Sequence, residues 1–443
     1  MKRLLAFLGV ILIMTSTGWA ETYDLTTFLK LVEQHSKDLK LAAKDQDLAK
    51  VTKRQAVAAA LPKVAASADY TRNLTEYYMY ADLSGLTGRP GTTKFKINRN
   101  NDFGANVGLQ QTLFSPTVGL ALRAAKEYQK LTDFVYDASH QAIMTGARTM
   151  FYQALLLKKY WEVSQAAEDN AKANYDNMKM KFENGVVSEF ELLQADVRWK
   201  NAIPQTAQAE RNYNLMLNNL KNWAGIEIDS QMDLDGNFDT IPALPEKPVT
   251  ASHPFQLILK QRPDYNAMLW EERLRMTNVK SKYSAYLPTL TGTMAYAFSA
   301  QSDYWKLEQD NGLFMAGLSL SWPLYTGGYR RTEIQKAKLE LEKTRINIEK
   351  NEENIYNEVS NIYLELQEAY ERITSAQATL KAAEKAFTIA ENTAKSGLAT
   401  QLQLKDARVG YDMATMNSYA AAFDYLSAYF QWERATGKLD LDE

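Results

Sequence analysis

The chain has 443 residues, with 51 Lys and Arg against 53 Asp and Glu, three histidines and no cysteine. This balance leaves no electrostatic footprint for nucleic acid, and the lack of cysteine excludes both disulfides and a lipidated N-terminal Cys. Beyond the first twenty residues no apolar run reaches eighteen, so no segment can cross a bilayer as a helix, and any crossing must be made by strands.

Lys2 and Arg3, an apolar run from Leu4 to Met14 and the small-residue ending Gly18-Trp19-Ala20 have the layout of a signal peptide over residues 1–20, with cleavage expected after Ala20. Eleven apolar residues are too few to anchor the chain in a bilayer. Loss of Lys2 and Arg3 leaves 49 basic residues against 53 acidic, a net charge of about −4.

An internal duplication organises the rest of the chain. Asp38 and Leu61-Pro62 match Asp264 and Leu287-Pro288 at an offset of 226; Leu113-Phe114 matches Leu324-Tyr325 at 211; Gly185 and Gly225 match Gly397 and Gly437 at 212. The first copy, residues 21–240, therefore carries 15 extra residues between its Leu-Pro and Leu-aromatic pairs, in a surface loop expected over 77–101. The second copy is 263–443. Between them, residues 241–262 begin Ile-Pro-Ala-Leu-Pro-Glu-Lys-Pro and read as an extended connector, because closely spaced prolines cannot sit in a helix.

In chain order the first copy reads as a helix at 25–60, strands at 63–72 and 103–113, a long helix at 117–183 and a helix at 188–223. The second reads as a helix at 263–286, strands at 289–299 and 313–322, a long helix at 329–395 and a helix at 400–436. The strands alternate: Val64, Ala66, Ala68 and Tyr70 against Ser67, Asp69 and Thr71; Phe314, Ala316, Leu318 and Leu320 against Gly317, Ser319 and Ser321. About ten residues with aromatic ends suits a tilted transmembrane strand, and four strands fall short of the roughly eight with which closed bacterial barrels begin. Several subunits must then share one barrel.

The long helices contain no proline, and 67 residues make roughly 100 Å of helix. In the second, Ile334, Leu341, Ile348, Ile355, Ile362, Ala369, Ala376, Ala383 and Ala390 recur every seven residues, with Val359, Leu366, Ile373, Leu380 and Phe387 as a companion stripe. The first repeats this through Ile143, Met150, Leu157, Ala171 and Met178, broken at Ser164 and Glu168. A sustained heptad means coiled-coil packing between neighbouring helices. Pro204 is expected to kink the helix that contains it.

The order signal, then twice helix, strand, loop, strand, long helix, tight turn, helix, resembles the TolC family of outer membrane efflux proteins over nearly the whole mature chain. The local matches are Arg262-Pro263-Asp264 leading to Leu287-Pro288, Asn184-Gly185-Val186-Val187-Ser188 with Leu192-Leu193-Gln194-Ala195, and Ser396-Gly397-Leu398-Ala399-Thr400 with Asp406-Ala407. The resemblance implies a mainly α fold with a transmembrane β-barrel, in which three subunits give twelve strands in the outer membrane on a twelve-helix periplasmic α-barrel. It also implies a homotrimer in outer-membrane lipid, working with a periplasmic adaptor and an inner-membrane transporter as the exit duct of an efflux or type I secretion system.

Acidic residues six and nine positions after the tip glycine tend to line the periplasmic constriction in that family. Six positions on are Glu191 and Gln403; nine on are Gln194 and Asp406. Glu191 and Gln403 also complete capping boxes with Ser188 and Thr400, so Asp406, on a polar stripe with Gln403, Gly410 and Asn417, is the side chain expected at a water-filled entrance. The tips Gly185, Val186, Val187, Ser188 and Gly397, Leu398, Ala399, Thr400 are expected to dock the adaptor. Val186 and Leu398 should pack back on the helix they follow, leaving Val187 and Ala399 outward. A periplasmic adaptor is the alternative reading, against which stand two hairpins and four amphipathic strands. His35, His140 and His253 lie far apart, no metal spacing, P-loop or nucleophile elbow occurs, and no cofactor or enzymatic role is expected.

Overall fold

A computed structural model of the chain describes residues 21–438 apart from 83, 84, 86, 87, 89, 248–254, 309, 397 and 399. The signal peptide expected at 1–20 lies outside the described residues. In order, the elements are β1 (Glu21–Tyr23), α1 (Leu25–His35), α2 (Lys37–Ala58), β2 (Lys63–Arg72), β3 (Tyr78–Asp82), β4 (Thr92–Lys96), β5 (Asn101–Phe114), α3 (Pro116–Glu183) and α4 (Glu189–Ala224). There follow β6 (Met232–Leu234), α5 (Phe255–Gln261), α6 (Pro263–Ser284), β7 (Thr289–Ser302), β8 (Asp310–Ser321), α7 (Tyr329–Lys395) and α8 (Gln401–Thr436).

Several expectations are corrected. The helix expected over 25–60 is two: Ser36 turns extended, its N–H donates to the Val32 carbonyl and its hydroxyl accepts from Leu39 N–H, so it ends α1 and starts α2. The stretch expected to be extended to residue 262 contains α5, whose Ile258 and Leu259 are buried one helical turn after Phe255. The extra loop of the first copy is itself paired, as the antiparallel hairpin β3–β4. Pro204 lies inside α4, which runs as one helix from Glu189 to Ala224. Thr206, two residues on, donates its hydroxyl to the backbone carbonyl of Ser164 on α3 at 3.2 Å, a cross-helix bond beside the break in the first heptad.

The described residues fall into two compact units, those within 1–45, 134–266 and 349–443 in one and those within 46–133 and 267–348 in the other. In the first, Phe28, Val32, Phe151, Ala154, Leu220 and Leu234 are buried together, beside the short parallel pair β1–β6. The second heptad seam is closed from Ile355 and Val359 to Ile373, then only half-buried at Ala376, Leu380, Ala383 and Phe387. Packing therefore loosens toward the α7–α8 turn, and looser packing lowers the cost of local opening.

The duplication extends to the joints. Gly225 and Gly437 end α4 and α8 in the left-handed conformation, at φ 67 and 73°, each followed by a residue whose N–H reaches back into the last turn. A Cβ on Gly225 would lie 2.9 Å from His35, and one on Gly437 2.8 Å from Gln261, so each glycine lets the end of a long hairpin rest on the end of a short helix. In the second copy this joint is ionic. Arg262, with its side chain 8 % exposed, donates to Asp264 at 2.7 and 3.0 Å, to Glu358 at 2.7 Å and to the Ala435 carbonyl at 3.1 Å.

Burial works against the Asp264 carboxylate, but the bonds and charge of Arg262 outweigh it and hold its pKa below the usual carboxylate range. A pKa lowered by folding gives stability that is present at neutral pH and lost as pH falls from the ordinary carboxylate range through the lowered value. Arg262→Ala should accordingly cost about 2–3 kcal/mol, less than a fully buried pair because Asp264 keeps water access. Circular-dichroism melting should show the lowered midpoint at pH 7, and the difference between the two proteins should shrink on acidification below the carboxylate range.

Candidate functional site

Two features of the chain carry chemistry, one in each unit. In the sheet, the strands run β2-β5-β7-β8, all antiparallel, and the register decides which alternations share a face. Val107 sits between Ala66 and Tyr296, and Tyr296 pairs with Phe314; one residue away, Asn106 sits between Ser67 and Ala297. The apolar phases of all four strands thus coincide, and the other face is mostly small or polar, with Leu313 and Met315 of β8 as its large apolar side chains. The step from Leu290 to Ala300 rises about 34 Å along β7, or about 24 Å at a 45° tilt, near the ~25 Å height of an outer-membrane apolar band.

Among the described residues nothing covers Phe314, Leu318 and Leu320, which are exposed on this apolar face. Aromatic residues mark its two ends. Trp322 donates its indole N–H to the Tyr286 carbonyl at 3.0 Å, with Arg330 over the Tyr286 ring. At the other end Tyr70, Phe103 and Trp305 cluster, with centroids 4.6–5.3 Å apart. Among the described residues both outer strands, β2 and β8, keep an unpaired edge, and they run in opposite directions.

In the other unit, two helical hairpins are related by the 212-residue offset. Tyr175 stacks on Trp199 between α3 and α4 at 5.3 Å, and Phe387 stacks on Tyr411 between α7 and α8 at 5.6 Å. One turn along, Asp196 pairs with Lys200 at 2.7 Å, whereas the equivalent Arg408 and Asp412 pair at 2.8 Å with the charges reversed. Arg408 also lies over the Phe387 ring. The first turn closes by the Gly185 N–H to the Phe182 carbonyl and the Val186 N–H to the Lys181 carbonyl, at φ 71° for Gly185. In the second turn the Leu398 N–H makes the equivalent bond to Thr393; Gly397 and Ala399 lie outside the described residues.

Both capping boxes form. Glu191 accepts from the Ser188 N–H at 2.9 Å and Gln403 from the Thr400 N–H at 2.9 Å, with the return bonds from Glu191 N and Gln403 N at 3.3 Å each. These two side chains are occupied at the helix starts. Gln194 and Asp406 are exposed. Arg198 on α4 is half-buried, which lowers its pKa, and the charge of Asp406 pulls the other way, so the two helices bring opposite charges within reach.

Sequence reasoning missed Arg198, since its offset mate is Gly410 and no pattern marks it. The expectation for Val186 and Leu398 is corrected: they are 70 % and 82 % exposed, while Val187 is half-buried. The hydrogen bonds that end each helix are made by the backbone alone and leave these side chains in solvent. Phe190 and Leu402, another equivalent pair, are exposed one turn later, and the offset that pairs Gly185 with Gly397 would have found them. Among the described residues no group of three or more His, Asp or Glu could hold a metal ion.

These features can be set beside known proteins. The family model described as outer membrane efflux protein matches residues 28–225 and 255–438. The outer membrane protein TolC of Escherichia coli is 21 % identical over 353 residues, covering 76 % of this chain but 66 % of that protein, just under two thirds of its length. The fold is that of the Campylobacter jejuni CmeC outer membrane channel, with a TM-score of 0.77, 20 % identity and coverage of 95 % of this chain and 87 % of that one. The open-state Neisseria gonorrhoeae MtrE outer membrane channel gives a TM-score of 0.73 at 17 % identity, over 93 % and 88 % of the two chains. With matches on both halves of the duplication, the chain belongs to the outer membrane efflux protein family.

Proposed function

We propose that three copies of this chain form an outer-membrane exit duct, through which an inner-membrane transporter and a periplasmic adaptor discharge substrates. The observation that carries this is the phasing of the sheet: four strands with one apolar face, one polar face and two free antiparallel edges cannot close alone. Joining β8 of one copy to β2 of the next continues the antiparallel order. Three copies would give twelve strands, above the roughly eight with which closed barrels begin, and three is the number the family resemblance supports. Leu41 and Leu48 on α2, and Leu339 and Ile346 on α7, are exposed at seven-residue spacing, which supports further helix packing against a second copy. In this reading residues 1–20 direct export and are removed. The test is insertion into planar bilayers: purified protein should give long-lived conducting steps, and a protein that folds yet never conducts would refute the duct.

The hairpin tips face the periplasm in this reading, and Asp406, exposed on α8, lines the entrance. Glu191 and Gln403 are held in their caps, so the charge there rests mainly on Asp406, tempered by Arg198. Crowded carboxylates attract cations, hence multivalent cations should block the pore. Asp406→Ala should weaken that block, and Arg198→Gln should strengthen it, both read as single-channel current against blocker concentration. Block that neither substitution changes would place Asp406 outside the entrance.

A further inference from the structure

At the loop end of the sheet, the row above the aromatic cluster consists of Arg72, Asn101 and Ser302 on three neighbouring strands. Asn101 is fully buried and organises the row. Its side-chain oxygen accepts from the Tyr70 hydroxyl at 2.9 Å and from Arg72 Nη1 at 3.1 Å, and its amide donates to the Ser302 and Tyr304 carbonyls at 3.1 and 3.0 Å. Arg72 stands two residues beyond Tyr70, so it shares the apolar face and marks its upper limit.

The cations around it are matched by carboxylates: Lys96 by Glu76 and Asp303, Arg99 by Asp303. Arg72 bonds only a neutral amide among the described residues, and it is exposed. One of its five N–H donors is engaged, leaving a planar fork of the kind that takes an oxyanion bidentately. Directly below lie the rings of Tyr70, Phe103 and an exposed Trp305. An anion seated on Arg72 would therefore sit above an aromatic shelf and an apolar wall, the order of groups in a phosphorylated membrane lipid from headgroup to acyl chain.

We propose that Arg72, fixed by Asn101 above the Tyr70–Phe103–Trp305 cluster, holds the phosphate headgroup of an acylated membrane lipid at this end of the sheet. The inference rests on the reading of this sheet as barrel wall. A free phosphate would use the guanidinium but not the rings, and a plain apolar chain would use the rings but not the guanidinium.

The full chain, purified in detergent, would be placed in phosphatidylcholine nanodiscs doped with a bisphosphorylated, acylated glucosamine disaccharide or with the same lipid stripped of its phosphates. Lipid retained after washing is counted by mass spectrometry. The unsubstituted channel should retain the phosphorylated lipid roughly tenfold better, in line with charge-assisted bonds to phosphate. Arg72→Gln should lower it to the level of the stripped lipid, and Lys63→Gln, at the far end of the same strand, should leave it unchanged. Equal retention of both lipids, or displacement of the phosphorylated lipid by inorganic phosphate, would overturn the proposal. So would an Arg72→Gln channel that keeps its lipid but falls apart into subunits at lower temperature, which would assign Arg72 to a seam between copies. Chains that never enter the nanodiscs would overturn the barrel-wall reading and this inference together.

Discussion

Phe314→Arg should cut the yield of membrane-inserted channel by tenfold or more, at about 2–4 kcal/mol for an arginine near the bilayer midplane, whereas Met315→Arg should insert close to normally. The two residues are neighbours on β8 and differ in face. Phe314 pairs with Tyr296 on the apolar side; Met315 pairs with Ala295 on the side of Thr293 and Ser299. A charge at 314 would enter lipid three times over in a shared barrel, and a charge at 315 would enter water. Outer-membrane fractionation of cells expressing each variant is the measurement. Equal yields of the two would mean that this sheet does not meet lipid.

Paired substitution of the two tips, Val186→Glu with Leu398→Glu, should abolish export while leaving subunit assembly and membrane insertion intact. Both side chains point into solvent although apolar, and Phe190 and Leu402 extend each apolar patch by one turn. Single exposed apolar residues are ordinary, but apolar side chains repeated at equivalent places on both tips fit an interaction site. If the tips of a trimer dock the adaptor as proposed, contact residues of this kind contribute about 1–2 kcal/mol each, and charges on both tips of each subunit would remove most of the docking energy. Export is followed as efflux of a fluorescent substrate, and docking as cross-linking to the adaptor. Variants that export and cross-link normally would show that the adaptor grips elsewhere.

The difference between Val186 and Val187 shows where sequence reasoning stops. The duplication, the alternation of the strands and the heptads are periodic, and period is a property of the residues themselves; the sheet register then puts Val107 beside Ala66 and Tyr296 as the alternation requires. Which way the residue after a helix-ending glycine points depends on whether the preceding turn offers it a surface, and that is settled by packing. The same holds for Ser36, a weak helix breaker that divides α1 from α2 because its hydroxyl caps the second helix. It holds for β1 and β6 too, three residues each, too short to show any period and paired only because α1 and α4 bring them together.

The site residues divide in the same way. Glu191 and Gln403 were legible as caps because the capping box has fixed spacing. Arg198 was not, since its relation to Asp406 crosses 208 positions between two helices that no local pattern links. The inverted pairs Asp196–Lys200 and Arg408–Asp412 sit at equivalent positions, and the offset that aligns the glycines also aligns them. Their inversion distinguishes two hairpins that are otherwise built alike.

If one chain holds a third of a barrel, native mass spectrometry of the detergent-extracted protein should find a three-chain assembly that survives release from the micelle. No stable single-chain species should accompany it, because each free β2 edge is closed by a β8 edge of another copy. A folded single chain that persists in detergent and conducts in planar bilayers would be incompatible with a shared barrel.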